Sequence, residues 1–354
     1  MKPNLRSVLA PLALLLLPAG ALQAWDYEGH RIVNQLALAS LPADFPAFVH
    51  ETAAAERIAF LAGEPDRWRN SAVLPLKHVN GVDHYLDYED LADAGLDGGK
   101  VPSLRYEFAK QFAAGRAAHP ENFAAIDPEK NADHSREWSG FAPWAIAEYY
   151  GKLQSEFSYL KAFQELGTPE EVANAQANII YTMGVMGHYV GDCAQPLHAT
   201  KHHNGWVGAN PNGYTTWPGI HAWIDGGLMA KAGIRTATLA PRVTLAQAIA
   251  LLPQDDDRDP MFVAMMTYLQ GTLKLVEPLY QLEKAGKLGD TFAKEHGKGK
   301  DPEPVSAEGQ TYLQDQLLRG GETLGAVWLT AWRNAPPDKF LRAQLLKRQA
   351  AAGK

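Results

Sequence analysis

The stretch Tyr181-Thr-Met-Gly-Val-Met-Gly-His-Tyr-Val-Gly-Asp-Cys-Ala-Gln-Pro-Leu-His198 sets a histidine and an aspartate four residues apart in an otherwise apolar run. On a helix, His188 and Asp192 share one face, and Pro196 ends the helix so that His198 can turn back toward the same point. A second His-x3-Asp pair, His221 and Asp225, follows 33 residues after the first. Two facing helices then offer four ligands and the turn a fifth. That is more N and O donors than one tetrahedral ion takes, so the spacing predicts a multinuclear metal site.

Working outward, Thr168-Pro-Glu-Glu171 predicts the start of this helix, with Thr168 as cap, Pro169 in the first helical position and Glu171 closing a capping box. Before it, residues 138–166 read as a helix whose aromatic stripe belongs to a core more often than to a ligand platform. Helical spacing also marks 26–40, 45–62 and 104–117, while 63–69 reads as a turn presenting Asp66. Residues 77–90 read as an extended loop, 91–103 as a Gly-rich connection and 119–137 as a polar linker. After a long loop at 199–220, helices are expected at 226–232, 242–251, 260–286 and 309–350, with polar breaks at 255–259 and 297–308. The pattern is all-α, organised as one domain over 25–354.

The first 24 residues read as an export signal: Lys2 and Arg6, the apolar run 9–18, and Ala24 at a cleavage point. The run is short for a membrane span. A mature chain beginning at Trp25, secreted or periplasmic, is therefore expected. The formal charge is −7, and loss of the two cations Lys2 and Arg6 takes it to −9. Such a surface does not favour tight duplex DNA binding, although bound cations reverse the sign locally. Cys193 is the only cysteine, which excludes an internal disulfide, and its place five residues after His188 points it off the ligand face.

His30, Asp66, His84, His188, Asp192, His198, His221 and Asp225 form the candidate ligand set. Carboxylates bridge divalent ions, imidazoles complete their shells, and zinc acidifies water enough for it to act as a nucleophile near neutral pH. The ordered pattern Trp25-x4-His30, Asp66, His84-x2-Asp87, His188-x3-Asp192-x5-His198 and His221-x3-Asp225 resembles the superfamily of secreted zinc-dependent phospholipases C and single-strand-specific nucleases that also remove 3'-phosphates. The resemblance extends over most of the mature chain.

The resemblance implies a mostly helical fold of the phospholipase C/nuclease type with three Zn2+ per chain, and a monomer is expected. One zinc would take Asp66, His84, His188 and Asp192, and a second His198, His221 and Asp225. The third would take the free amino group and carbonyl of Trp25 with His30 and Asp192, which makes signal removal an activation step. The implied reaction is hydrolysis of a phosphate ester, with Asp66 orienting or deprotonating the water and Arg69 contacting the phosphate.

Substrate class is less sharply marked. Tyr85 and Asp87 stand where the nuclease branch keeps an aromatic and an aspartate to hold a base, but the phospholipase branch has similar residues there. The Gly-Gly-Asn expected of nucleases is replaced by His202-His-Asn204-Gly-Trp206. That loop and the aromatic segment 138–150 are closer to bacterial phospholipases C, whereas the final ligand Asp225 is nuclease-like. The favoured expectation is a phospholipase C that cleaves phosphatidylcholine-like lipids at a membrane or micelle surface. In it Trp138, Phe141, Trp144 and Trp206 would rim the cleft, Asn204 would contact substrate, and Asp87 and Glu137 would assist a choline headgroup. The alternative is a single-strand-specific endonuclease/3'-nucleotidase acting on single-stranded nucleic acid; another secreted phosphoesterase and, last, a nonenzymatic zinc- or lipid-binding module are the further readings.

Overall fold

The structure, a computed structural model, describes residues 25–289 and 304–352; the expected signal at 1–24 and residues 297–303 of the last polar break lie outside the described residues. In chain order the helices are α1 (Tyr27–Ser40), α2 (Thr52–Leu61), α3 (Glu64–Arg69), α4 (Leu74–Gly81), α5 (Glu89–Asp93), α6 (Arg105–Ala118), α7 (Ala142–Leu166) and α8 (Pro169–Asp192). They continue with α9 (Ile220–Ala222), α10 (Met229–Ala232), α11 (Thr236–Leu239), α12 (Pro260–Leu273), α13 (Val276–Lys284), α14 (Ala307–Asn334) and α15 (Lys339–Ala352). Among the described residues no strand forms; Leu86 and Gly140 make one isolated antiparallel bridge. The chain is mostly helical, as its periodicity implies. No helix among the described residues is long and apolar enough to cross a membrane.

The molecule is built around α8. Its start is the expected capping box: the Thr168 hydroxyl accepts from Glu171 N–H at 3.3 Å and the Glu171 carboxylate accepts from Thr168 N–H at 2.9 Å. From Thr182 to Asp192 every residue is buried, because α1, α2, α7 and α14 pack around this end. Two glycines make the approach possible. A Cβ at Gly184 would stand 2.5 Å from the Leu61 Cβ of α2, and one at Gly187 would overlap the Asn34 side chain of α1. Asn34 uses the same closeness to donate to the carbonyls of Ile58 and Gly184, which ties α1, α2 and α8 together.

Several elements differ from the sequence expectation, each for a visible reason. The turn at 63–69 is a helical turn, α3, with Pro65 in its first turn. Part of the expected loop 77–90 is α4 and a 3-10 turn at Val82–His84; only then does the chain extend. The helix expected at 242–251 is absent. Its backbone N–H groups go to other elements instead: Thr244 to the Glu322 carboxylate, Ala246 to Ser40 O and Ile249 to the Thr330 hydroxyl. The expected helix 260–286 is cut into α12 and α13, since Pro278 cannot donate to the carbonyl of Lys274 and its ring crowds it. Pro336-Pro337 likewise divides 309–350 into α14 and α15.

Candidate metal centre

Seven elements deliver the candidate ligands. His30 comes from α1, Asp66 from α3, His84 from the 3-10 turn before the extended segment, and His188 and Asp192 from α8. His198 comes from a 3-10 turn at Pro196–His198, where Pro196 does redirect the chain. His221 lies on α9 and Asp225 in a π-helical stretch, Trp223–Leu228, of a kind that recurs at functional sites. Backbone bonds from Leu86 N to His198 O and from Asp87 N to Ser139 O stitch the segment after His84 between the other two walls.

All eight side chains converge. They make three groups, His30/His188/Asp192, Asp66/His84/His188 and His198/His221/Asp225, within each of which the candidate donor atoms lie within 4.8 Å of one another. Asp192 links them: one carboxylate oxygen is 3.4 Å from His30 Nε2 and 3.7 Å from His198 Nδ1, and the other is 3.3 Å from His188 Nε2. His221 Nε2 is 2.9 Å from His198 Nε2 and 3.1 Å from Asp225 Oδ2. Each group can hold a metal ion.

The tautomers are set by the backbone. Nδ1 of His84, His188 and His198 lies 2.6–2.7 Å from the carbonyls of Asn80, Ala62 and His84 respectively. A carbonyl only accepts, so each Nδ1 carries the proton and each Nε2 keeps its lone pair, facing the carboxylates at His84 and His188 and the His221 ring at His198. His84 Nε2, His188 Nε2, both His30 nitrogens, both Asp192 oxygens and one Asp225 oxygen are buried without a hydrogen-bond partner. So many orphaned acceptors in one place is costly unless a cation satisfies them.

The electrostatics agree. Burial, with His188 and His198 nearby, holds His30 well below its ordinary pKa; burial and Arg69 do the same to His84, and burial and His203 to His221. Burial brings His198 down to about 4 and pushes the Asp225 carboxyl up to about 7. At His188 burial also lowers the pKa, but the Asp192 and Asp66 carboxylates outweigh it and the net direction is upward. His30, His84, His198 and His221 are thus held in the neutral form that binds a divalent ion, and His188 is the exception, its proton favoured by the two carboxylates that a cation would otherwise offset.

Trp25 sits at the same place. It is fully buried, its indole N–H donates to Gly191 O at 3.0 Å, and the next residue, Asp26, donates its N–H to Asp225 O at 3.2 Å. Cys193 is buried and belongs to none of the three groups, and burial pushes its thiol pKa up, which fits a structural role.

A cleft of about 380 Å³ opens over His198 and His221, walled by Arg69, Tyr85, Asp87, Trp138 and Asn204. Arg69 Nε lies 2.9 Å from Asp66 Oδ1, which places a guanidinium beside the ligand cluster. The structure places three residues of the expected aromatic rim away from the lining of this cleft. Trp144 is 1% exposed, stacks on Phe108 with ring centres 4.1 Å apart, and donates to Pro102 O; it is core. Phe141 is buried beside it. Trp206 stacks on His202 at 4.0 Å and donates to Ala209 O, bracing its own loop rather than lining the cleft. Glu137 is engaged with His134 and Asn131, and it too is outside the cleft lining.

Four polar cleft residues were not among the candidates drawn from the sequence: Asp90, Ser135, Arg136 and His203. Asp90 is pushed to about 7 by burial and by the neighbouring Asp87. His203 Nδ1 is 3.4 Å from Asp87 Oδ1; burial lowers its pKa, Asp87 raises it, and the carboxylate prevails. Gln195 was also missed, although its amide donates to Asp225 Oδ1 at 2.6 Å and so orients that carboxylate. Its position one residue before Pro196 was the available signal. Neither a family model nor a curated protein matches the chain.

Proposed function

We propose that the protein is an exported zinc-dependent phosphoric ester hydrolase, a phospholipase C that releases phosphocholine and diacylglycerol from phosphatidylcholine-like lipids. The observation that carries this reading is the set of buried imidazoles whose Nδ1–H groups are tied to backbone carbonyls while their Nε2 atoms face inward, those of His84 and His188 toward the buried carboxylates of Asp66 and Asp192 and that of His198 toward His221. Nitrogen and carboxylate donors in this mixture suit zinc. Asp66, His84 and His188 would hold one ion, His198, His221 and Asp225 a second. His188 has a single free nitrogen, so it serves one ion only; the group around His30 and Asp192 then needs another donor, and Trp25, whose indole N–H donates to the carbonyl of Gly191 next to Asp192, is the nearby residue that would supply one from its main chain.

Bound zinc supplies Lewis acidity toward a phosphoryl oxygen and toward water. The chain's own residues do the rest. Asp66 would orient the water and take its proton as the water oxygen attacks phosphorus; the bond from phosphorus to the diacylglycerol oxygen breaks, and that oxygen leaves as the alcohol with the proton that Asp66 took up. Arg69 holds a nonbridging phosphate oxygen through its fork of N–H donors. Asp87 and Asp90, with the faces of Tyr85 and Trp138, provide an acidic and aromatic end of the cleft for a quaternary ammonium group.

A second reading, a single-strand-specific nuclease/3'-nucleotidase, is favoured by Arg136. This second guanidinium lines the cleft alongside Tyr85 and Asn204, where a further phosphate and a base would lie. The test is to incubate the zinc-loaded mature protein separately with phosphatidylcholine vesicles and with denatured DNA, with and without chelator. Phosphocholine release that chelation abolishes is expected. DNA digestion without phospholipid cleavage would instead establish the nuclease.

A further inference from the structure

Gln195 engages each of its polar groups among the metal-facing side chains. It is fully buried in the turn that joins Asp192 to His198. Its backbone N–H donates to Asp192 O and its carbonyl accepts from His198 N–H, both at 3.0 Å. Its side-chain oxygen accepts from Leu197 N–H, which closes the 3-10 turn carrying His198. Because that partner only donates, the amide turns its nitrogen to Asp225 and donates to Oδ1 at 2.6 Å. The other oxygen, Oδ2, is 3.1 Å from His221 Nε2. Asp225 therefore offers an ion one oxygen rather than two. Asp192, which lies among His30, His188 and His198, has no such restraint: both of its oxygens are buried without a hydrogen-bond partner.

We propose that Gln195 determines the metal selectivity of the His198/His221/Asp225 group, favouring zinc by restricting Asp225 to one oxygen; this rests on the zinc reading of the centre and not on which phosphate ester is cleaved. Two imidazole nitrogens and one carboxylate oxygen lie within 4.8 Å of one another here. His198 and His221 also line the cleft. Three protein donors with a fourth position left to the cleft suit tetrahedral zinc. Manganese takes a larger, oxygen-rich shell, and calcium builds one that often includes both oxygens of a carboxylate. Released from Gln195, Asp225 can turn both oxygens to the ion and admit such a shell.

Two variants test this. Gln195→Met removes both side-chain hydrogen bonds at similar length. Gln195→Glu keeps an oxygen for Leu197 N–H but sets a carboxylate oxygen against Asp225. The metal-free mature parent and both variants are titrated with Zn2+ and, separately, with Mn2+ in competition with a chromophoric chelator. Three zinc equivalents are expected in the parent, one for each group. In both variants one of them should weaken by about 10- to 100-fold, the cost of losing an outer-shell partner, while the other two hold. Manganese binding at that equivalent should weaken less, so its preference for zinc narrows by about tenfold. A zinc preference equal to the parent's in both variants overturns the proposal, even where both ions bind more weakly, because Gln195 then only braces the turn; the zinc reading stands. Loss of metal from all three groups together also overturns it, by making Gln195 a prop of the fold. A parent that binds no zinc overturns the zinc reading and the proposal with it.

Discussion

Residues 182–192 and 72–79 invert the ordinary distribution of polarity in opposite directions. The first stretch is buried throughout yet includes His188 and Asp192, with three of their polar atoms lacking any hydrogen-bond partner. The second is exposed throughout yet is mostly aliphatic. Folding alone favours neither, since orphaned polar groups inside and a contiguous apolar surface outside each cost stability. The difference between them lies in what answers each: donors facing inward call for cations, whereas apolar side chains facing outward only forgo packing that the fold can do without.

The largest effect should come from the buried side of this pair. Asp192→Asn removes the carboxylate that lies among His30, His188 and His198. Hydrolysis should fall by about a thousandfold or more, because metal chemistry contributes several kcal/mol of barrier lowering. Metal content by mass spectrometry should fall with it. A variant that keeps both full metal content and turnover would break the comparison at its root.

Arg69→Ala comes next. It removes the guanidinium beside Asp66 but none of the ligands, so turnover should drop about a hundredfold while metal content stays that of the parent. Metal analysis beside steady-state rates separates this outcome from general damage. Equal loss of metal would make Arg69 a prop of the cluster rather than a phosphate contact.

Glu156 offers a control: a partly buried carboxylate on α7 that belongs to none of the metal groups. Its Oε1 accepts from Thr182 at 2.7 Å and its Oε2 has no partner; burial raises its pKa from 4.5 to about 7. The folded protein thus binds this proton more tightly than the unfolded chain does. The group's contribution is fully present below pH 4.5 and is lost as pH rises through about 7. Glu156→Gln should therefore be more stable than the parent at pH 8, by ~1 kcal/mol after allowing for partial exposure, and equal to it near pH 4. Denaturant titrations at the two pH values check this; a variant less stable at pH 8 would contradict it.

The smallest effect belongs to the exposed stretch. Leu74→Gln alone should change folding stability by no more than about 0.5 kcal/mol, the range for surface substitutions that break no packing. A thermal melt showing a loss of several kcal/mol would mean that α4 is part of the core.

Much of the inward-facing half was legible in the sequence because its signals are local. His-x3-Asp on a helix, Pro196 after it and the Thr168 capping box each act within a few residues, and each is found in the structure. Pro278 and Pro336-Pro337 were equally local signals, and reading the helices through them produced two helices too long. Other features have no local cause. Residues 242–251 have helical composition, but Ser40, Glu322 and Thr330 take their N–H groups, and those partners lie far along the chain. Trp144 and Trp138 belong to one aromatic stripe, and only the packing of Phe108 against Trp144 decides which is core and which lines the cleft. The carbonyls that set the histidine tautomers are invisible to any pattern of side chains.

The most direct test of the account is the metal content of the purified mature protein by inductively coupled plasma mass spectrometry. Three groups of buried donors predict about three equivalents of zinc per chain, removed by chelation together with activity and restored with it. A protein that is fully active with no stoichiometric metal would contradict it.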